Sequence, residues 1–238
     1  MDAQLKGTFY YFLTNMKRPF LIFWAILVGF MLITYGMSYL FADTATVIAY
    51  DLSFPIYIFG AILGFHTVKS CIPYLIKMGS TRANIFVVSG ASLFALACLN
   101  AMIANTIYVI VEKVHSEVKS AIFTLETGEN SYTFSHLADL VMDSTWYSRV
   151  VIDASIGFFL LAAFFLLALI FYRYGFIGGF GTLGIFMGTI AFGIERGWLI
   201  DFFSSIFSNF HFTFFYQLML TGIVIYLLSY VLMRRLTI

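Results

Sequence analysis

The stretch Lys69–Phe86 reads KSCIPYLIKMGSTRANIF and lies between two strongly apolar runs. It carries Lys69, Lys77 and Arg82 and no acidic residue. Ile72, Leu75, Ile76, Ile85 and Phe86 recur through it at helical spacing, and Gly79-Ser80-Thr81 interrupts them with a turn signal. The stretch is too apolar for a plain solvated loop and too basic for a membrane span. An amphipathic helix at a membrane face, open to contact with another protein, satisfies both conditions. A basic loop that only fixes topology is the simpler alternative.

The flanks decide the fold class. Of 238 residues, 61% are hydrophobic and only 11% are charged, with a mean hydropathy of +0.94. Soluble domains carry roughly 25% charged residues, so a water-soluble fold of this length has too little polar surface available. The reading is all-α: a polytopic membrane protein forming one domain over residues 1–238. A net charge of +1 gives no reason to expect nucleic acid as a partner. Cys71 and Cys98 fall near or inside apolar runs and suggest neither a disulfide framework nor a metal site. The N-terminus lacks a short apolar core ending in small residues, so the first span is expected to act as its own insertion signal.

Six apolar runs predict six spans: 20–41, 48–68, 85–111, 150–172, 175–194 and 212–233. Before the first, residues 3–18 mix Phe9, Tyr10, Phe12 and Leu13 with Lys6, Lys17 and Arg18, which predicts an interfacial helix bent at Pro19 into the membrane. Residues 112–149 form the one long polar segment, with hints of short helices around Val118–Leu125 and Leu137–Val141. Residues 195–211 mix aromatics with serines. Lys6, Lys17, Arg18, Lys69, Lys77, Arg82, Arg173, Arg234 and Arg235 all fall on the side of the termini. Nearly every acid falls opposite, so both termini are expected in the cytoplasm and 112–149 outside.

No enzyme signature appears. There is no H-E-x-x-H, and His66, His115, His136 and His211 are scattered without ligand spacing. Gly79-Ser80-Thr81-Arg82 lacks the lysine and the preceding loop of a phosphate-binding G-x-x-x-x-G-K-[ST]. Any use of ATP requires a partner's site. Asp51 and Ser53 stand just before Pro55, which reads as a helix N-cap, and Asp153 is given the same reading. Glu195 and Arg196 read as a local pair at a span end. In GFIGGFGTLGIFMG, Gly175 and Gly179 are four apart, as are Gly184 and Gly188, a spacing that lets helices approach closely.

The order of these parts resembles the permease subunits of ABC-2 type exporters, especially small bacterial permeases whose ATPase is a separate chain. The most specific element is Leu75–Phe86, LIKMGSTRANIF. It is similar to that family's segment of a leucine, a glycine, a threonine or serine, an arginine, a phenylalanine or isoleucine and a closing phenylalanine, here Leu75 or Met78, Gly79, Thr81, Arg82, Ile85 and Phe86. The resemblance implies that 69–82 is a cytoplasmic coupling segment docking in an ATPase cleft. Cys71, Ile72, Pro73, Tyr74, Leu75, Lys77 and Met78 would form its helix, and Gly79, Thr81 and Arg82 the turn into the third span. Tyr74 and Lys77 are the main contact candidates, and Arg82 has lipid phosphate as an alternative partner. It further implies an elbow helix at 3–18, a re-entrant external segment at 195–211 and a place in the bacterial cell membrane. Implied partners are two ATPase subunits, which hold the ATP and magnesium, and a second permease, like or related. The 112–149 segment is longer than the family's usual loop. It leaves open a different class of function, a non-transporting immunity or sensor module that binds an extracellular ligand there. An intramembrane hydrolase lacks paired catalytic residues.

Overall fold

The computed structural model describes residues 2–40, 52–122, 145–208 and 212–236. Among these residues every regular element is helical. The helices are α1 Asp2–Leu40, α2 Ser53–His66, a π-helical turn Thr67–Cys71, α3 Ile72–Lys77, α4 Arg82–Ile122, α5 Trp146–Glu195, α6 Trp198–Ser208 and α7 Thr213–Arg234. Five helical stretches are long and apolar enough to cross a membrane: Gln4–Ile33, Ser53–Lys77, Arg82–Lys113, Trp146–Glu195 and Thr213–Arg234.

Close contacts between named residues give the helix directions. Tyr57 meets Asp153, and a Cβ at Gly60 or Gly64 would meet Gly157, Leu161 and Phe165, so α2 and α5 run parallel. Phe94 meets Phe158 edge-on and Asn105 reaches Asp153, so α4 runs the opposite way. Asn15 pairs with Cys71 and Phe23 stacks on Phe59, which sets α1 antiparallel to α2. Gly222 packs on Phe158 and Phe159, and Tyr226 on Phe165, which sets α7 parallel to α5. The largest core cluster runs through these helices, from Phe12 and Met16 past Leu63, Ile72, Ile85 and Phe165 to Met233 and Leu236. The closest approach is α2 on α5. A Cβ added at Gly64 would lie 2.4 Å from the Leu161 carbonyl oxygen, so only glycine fits there. Gly60 and Gly64 carry the i, i+4 small-residue spacing at this contact.

Three boundaries differ from the sequence reading. First, residues 3–18 are not a separate element, because α1 continues through Pro19 to Leu40. Proline costs a helix one backbone bond, and membrane helices tolerate the loss because no competing conformation satisfies the rest of the backbone in lipid. Second, the second span does not stop at Val68: the chain stays helical from Ser53 to Lys77. The joint is the wide turn Thr67–Cys71, closed by the Ile72 N–H donating to the Thr67 carbonyl. Pro73 follows immediately; its ring displaces the carbonyl of Lys69, and a widened turn absorbs that displacement. Third, α4 extends to Ile122 and α5 begins at Trp146, so both ends of the 112–149 segment are helical. Residues 123–144, the 41–51 link with Asp51, and 209–211 lie outside the described residues.

The expected fourth and fifth spans both fall within α5, which is 50 residues long. A straight helix of that length extends about 75 Å, far beyond a hydrocarbon core of roughly 30 Å. It is not straight. Gly175 has φ 69° and ψ −166°, a backbone state open essentially to glycine alone, and it divides α5 into arms at 146–174 and 176–195. Residues eight apart on a straight helix are about 12 Å apart along the axis. Here the Phe171 ring sits 2.1 Å from where a Cβ on Gly179 would be, and it meets Phe180 at 5.5 Å between ring centroids. The second arm is therefore bent back toward the first. Gly175→Ala should destabilise the detergent-solubilised protein by on the order of 1–3 kcal/mol, read as a lower thermal midpoint. Gly181→Ala, at a site with open space around it, should leave that midpoint in place.

Candidate functional site

The basic stretch folds into α3, a turn, and the start of α4. Cys71, Ile72 and Leu75 point inward and are at most 3% exposed. Tyr74, Lys77 and Met78, three and four residues apart, share the opposite face and are exposed. The short helix is thus amphipathic, as its spacing predicts. It ends in two reversed bonds, Gly79 N–H to the Ile76 carbonyl and Ser80 N–H to the Leu75 carbonyl. This is a Schellman closure, and it requires the left-handed backbone that Gly79 supplies at φ 82°. Thr81 then caps α4, its Oγ1 accepting from the Asn84 N–H at 3.3 Å.

Both ends of the described chain converge on this turn. Gln4 Nε2 donates to the Gly79 carbonyl at 2.8 Å, and Gln4 Oε1 accepts from Asn84 Nδ2 at 2.9 Å. Thr8 and Ser80 share a hydroxyl bond at 3.1 Å. Further along α1, the Tyr11 ring stacks on Tyr74 with centroids 4.5 Å apart, and Asn15 Nδ2 donates to Cys71 Sγ at 3.0 Å. From the C-terminus, the Arg82 guanidinium donates to the carbonyls of Arg234 at 2.8 Å and Leu236 at 2.5 Å. A helix C-terminus carries unsatisfied carbonyls and partial negative charge, so an arginine there is favourable on both counts.

These positions sort the expected coupling residues by role. Tyr74, Lys77, Met78, Gly79 and Thr81 are exposed; Pro73 is half-buried. Cys71, Ile72 and Leu75 belong to the core, and Arg82 is occupied within the chain. Of the four glycines expected to pack helices, Gly175 forms the break in α5 and Gly179 lies under Phe171 of the same helix. Gly184 and Gly188 have no atom within 4 Å of an added Cβ. Among the described residues, glycines that meet another helix of the chain are Gly60, Gly64, Gly90, Gly193 and Gly222.

A second cluster lies at the far end of the bundle, where the sequence reading assigned Asp153 to a helix cap. The cap of α5 is Thr145, which exchanges bonds with Ser148 in a capping box. Asp153, two turns further on, is 2% exposed. Its Oδ1 accepts from the Tyr57 hydroxyl at 2.6 Å and its Oδ2 from Asn105 Nδ2 at 2.7 Å. One turn earlier, the Arg149 guanidinium lies 4.3 Å from the centre of the Tyr108 ring and 3.9 Å from Glu112. The spacing of Tyr57, Asn105 and Asp153 across three helices carries no local pattern, so only their assembly in space brings them together.

Comparison of the chain with family models, with curated proteins and with solved structures returns no match.

Arg82→Gln shortens and neutralises the group on the α7 carbonyls. It should lower stability by roughly 1–3 kcal/mol, and hydrogen exchange should rise in the last turn of α7 and not in α2.

Proposed function

We infer that the chain is the membrane-spanning subunit of an ATP-driven exporter of the ABC-2 type, working with separate ATPase chains that bind the ATP and magnesium. The observation that supports this most is the face formed by Tyr74, Lys77 and Met78. It is a short exposed helix facet on a rigid mount, with α1 stacked beside it, α4 capped behind it and α7 clamped to its turn. A partner that pushes on such a facet moves several helices at once. The buried residues Cys71, Ile72 and Leu75 serve the mount, while Tyr74, Lys77 and Met78 make the contact.

In this reading the two arms of α5 are separate spans, giving six in all. The first arm ends beside α2, where Phe171 meets Phe65. The last helix begins at the other end of the bundle, where Phe215 packs on Ile152. The second arm, at about 1.5 Å per residue, is long enough to return the chain across the membrane between those points. Both termini then lie in the cytoplasm with the basic turn, as the distribution of Lys and Arg favours. α6 lies at the external surface. Two such chains, or this chain and a related one, form the pathway in a bacterial cell membrane. ATP binding draws the docked facets together, and the spans open outward.

Purification from the native membrane in mild detergent should yield a stoichiometric soluble ATPase. Tyr74→Ala and Lys77→Ala should each weaken its retention about tenfold, or ~1.4 kcal/mol, and lower ATPase stimulation without loss of membrane insertion. Absence of any ATPase, or full stimulation in the double variant, rejects this reading.

A further inference from the structure

Asp153 sits among three helices at the end of the bundle remote from the basic turn. An ionisable group buried at a membrane-spanning helix is costly and generally has a task. Groups from three helices gather around it. From α2 comes Tyr57; from α4 come Asn105, with Tyr108 and Glu112 on the following turns; from its own helix comes Arg149, one turn earlier. Neither α1 beyond Arg18 nor α7 before Arg234 contains a charged residue.

The amide of Asn105 is the informative group. Its Nδ2 donates twice, to the Ala101 carbonyl at 2.9 Å and to Asp153 Oδ2 at 2.7 Å. Its Oδ1 is fully buried and has no hydrogen-bond partner. This orientation suits an ionised Asp153, whose oxygens only accept. A neutral carboxyl carries one O–H. If the proton lies on Oδ2, it needs an acceptor where Asn105 now presents a donor. Half a turn of the amide about χ2 exchanges Nδ2 for the orphaned Oδ1, which then accepts that proton. The exchange gives up the bond to Ala101. On the other oxygen, the Tyr57 bond loses the charge assistance that makes hydrogen bonds to carboxylates roughly twice as strong as neutral ones. Two hydrogen-bonded arrangements are therefore available to one set of side chains, and the ionised one grips α2 and α4 more firmly.

We propose that Asp153 is a proton-binding site, and that its ionised form clasps α2, α4 and α5 together while protonation loosens that end of the bundle. The direction follows from the partners. Both Tyr57 and Asn105 donate to the carboxylate, so losing its charge weakens both contacts, and loosening appears as pH falls.

The test uses the full chain in lipid nanodiscs. Spin labels are placed at Phe54→Cys and Trp146→Cys, exposed sites at the starts of α2 and α5, in a Cys98→Ala background. Cys71 is fully buried. At alkaline pH the label-to-label distance should be single and short, and a longer population should grow as the sample is acidified. Asp153→Asn should hold the longer population at every pH. Tyr57→Phe, a milder change, should keep the response but show some of the longer population already at alkaline pH, because one bond to the carboxylate is gone. Glu112→Gln should leave the response intact, which separates Asp153 from its exposed acidic neighbour. A distance independent of pH in the parent chain overturns the proposal, as does a pH response that survives in Asp153→Asn. Should Asp153→Asn fail to fold, a Tyr57→Phe variant whose alkaline distances match those of the parent chain overturns it equally.

Discussion

Arg82 donating to the carbonyls of Arg234, the last residue of α7, and of Leu236, two residues beyond it, is the contact on which the basic end of the bundle depends. Those carbonyls have no intrahelical partners and must be satisfied from outside the helix. The same few residues serve the other chain end, since Gln4 satisfies the Gly79 carbonyl and accepts from Asn84. Three helices therefore share one set of polar bonds around a six-residue stretch. In a membrane, apolar burial adds little preference for one helix arrangement over another, because lipid is as apolar as leucine. Polar bonds and close packing choose the arrangement, and at this end the Gly79–Asn84 turn supplies the polar bonds.

The packing half of that statement is visible in α2. Gly60 and Gly64 let its backbone lie against α5, with Leu161 occupying the space a larger residue would need. Just beyond, the π-helical turn at Thr67–Cys71 rotates the chain, so α3 presents a face that a regular continuation would place differently. Thr67, Val68 and Cys71 are almost wholly buried in that turn. The distortion is thus fixed by the core and has no room to relax. A rigid path connects the close contact with α5 to the exposed facet of α3.

Much of this was legible in the residues. The apolar runs mark the membrane helices, because helical spans need about 20 apolar residues whatever their neighbours. The facet of Tyr74, Lys77 and Met78 against Cys71, Ile72 and Leu75 follows from helical period alone. Gly79 and Thr81 announce the turn, for which local chemistry suffices. Illegible were the joins. Pro19 suggests a break where α1 continues, and Val68 a boundary where the helix runs on to Lys77. Proline and charge mark local preference, while lipid and neighbouring helices decide whether a helix ends. Glycine spacing pointed to Gly184 and Gly188, yet the same spacing at Gly60 and Gly64 is what meets a neighbour inside the chain. Spacing marks where close approach is permitted, and tertiary structure decides which site is used.

By itself the sequence determined that this chain is a set of helices long and apolar enough to cross a membrane, with an amphipathic basic turn, since length, period and charge are properties of single segments. The tertiary structure alone decided what the polar residues do. Asp153 reads as a cap in the sequence, and it becomes a buried carboxylate held by Tyr57 and Asn105 only when α2, α4 and α5 assemble. Arg82 reads as part of the coupling turn, with lipid phosphate as an alternative partner, and becomes the clamp at the end of α7 for the same reason. A side chain's partner lies across the bundle, 48 residues away for Asn105 and Asp153 and 152 for Arg82 and Arg234. No local pattern encodes a bond over such separations.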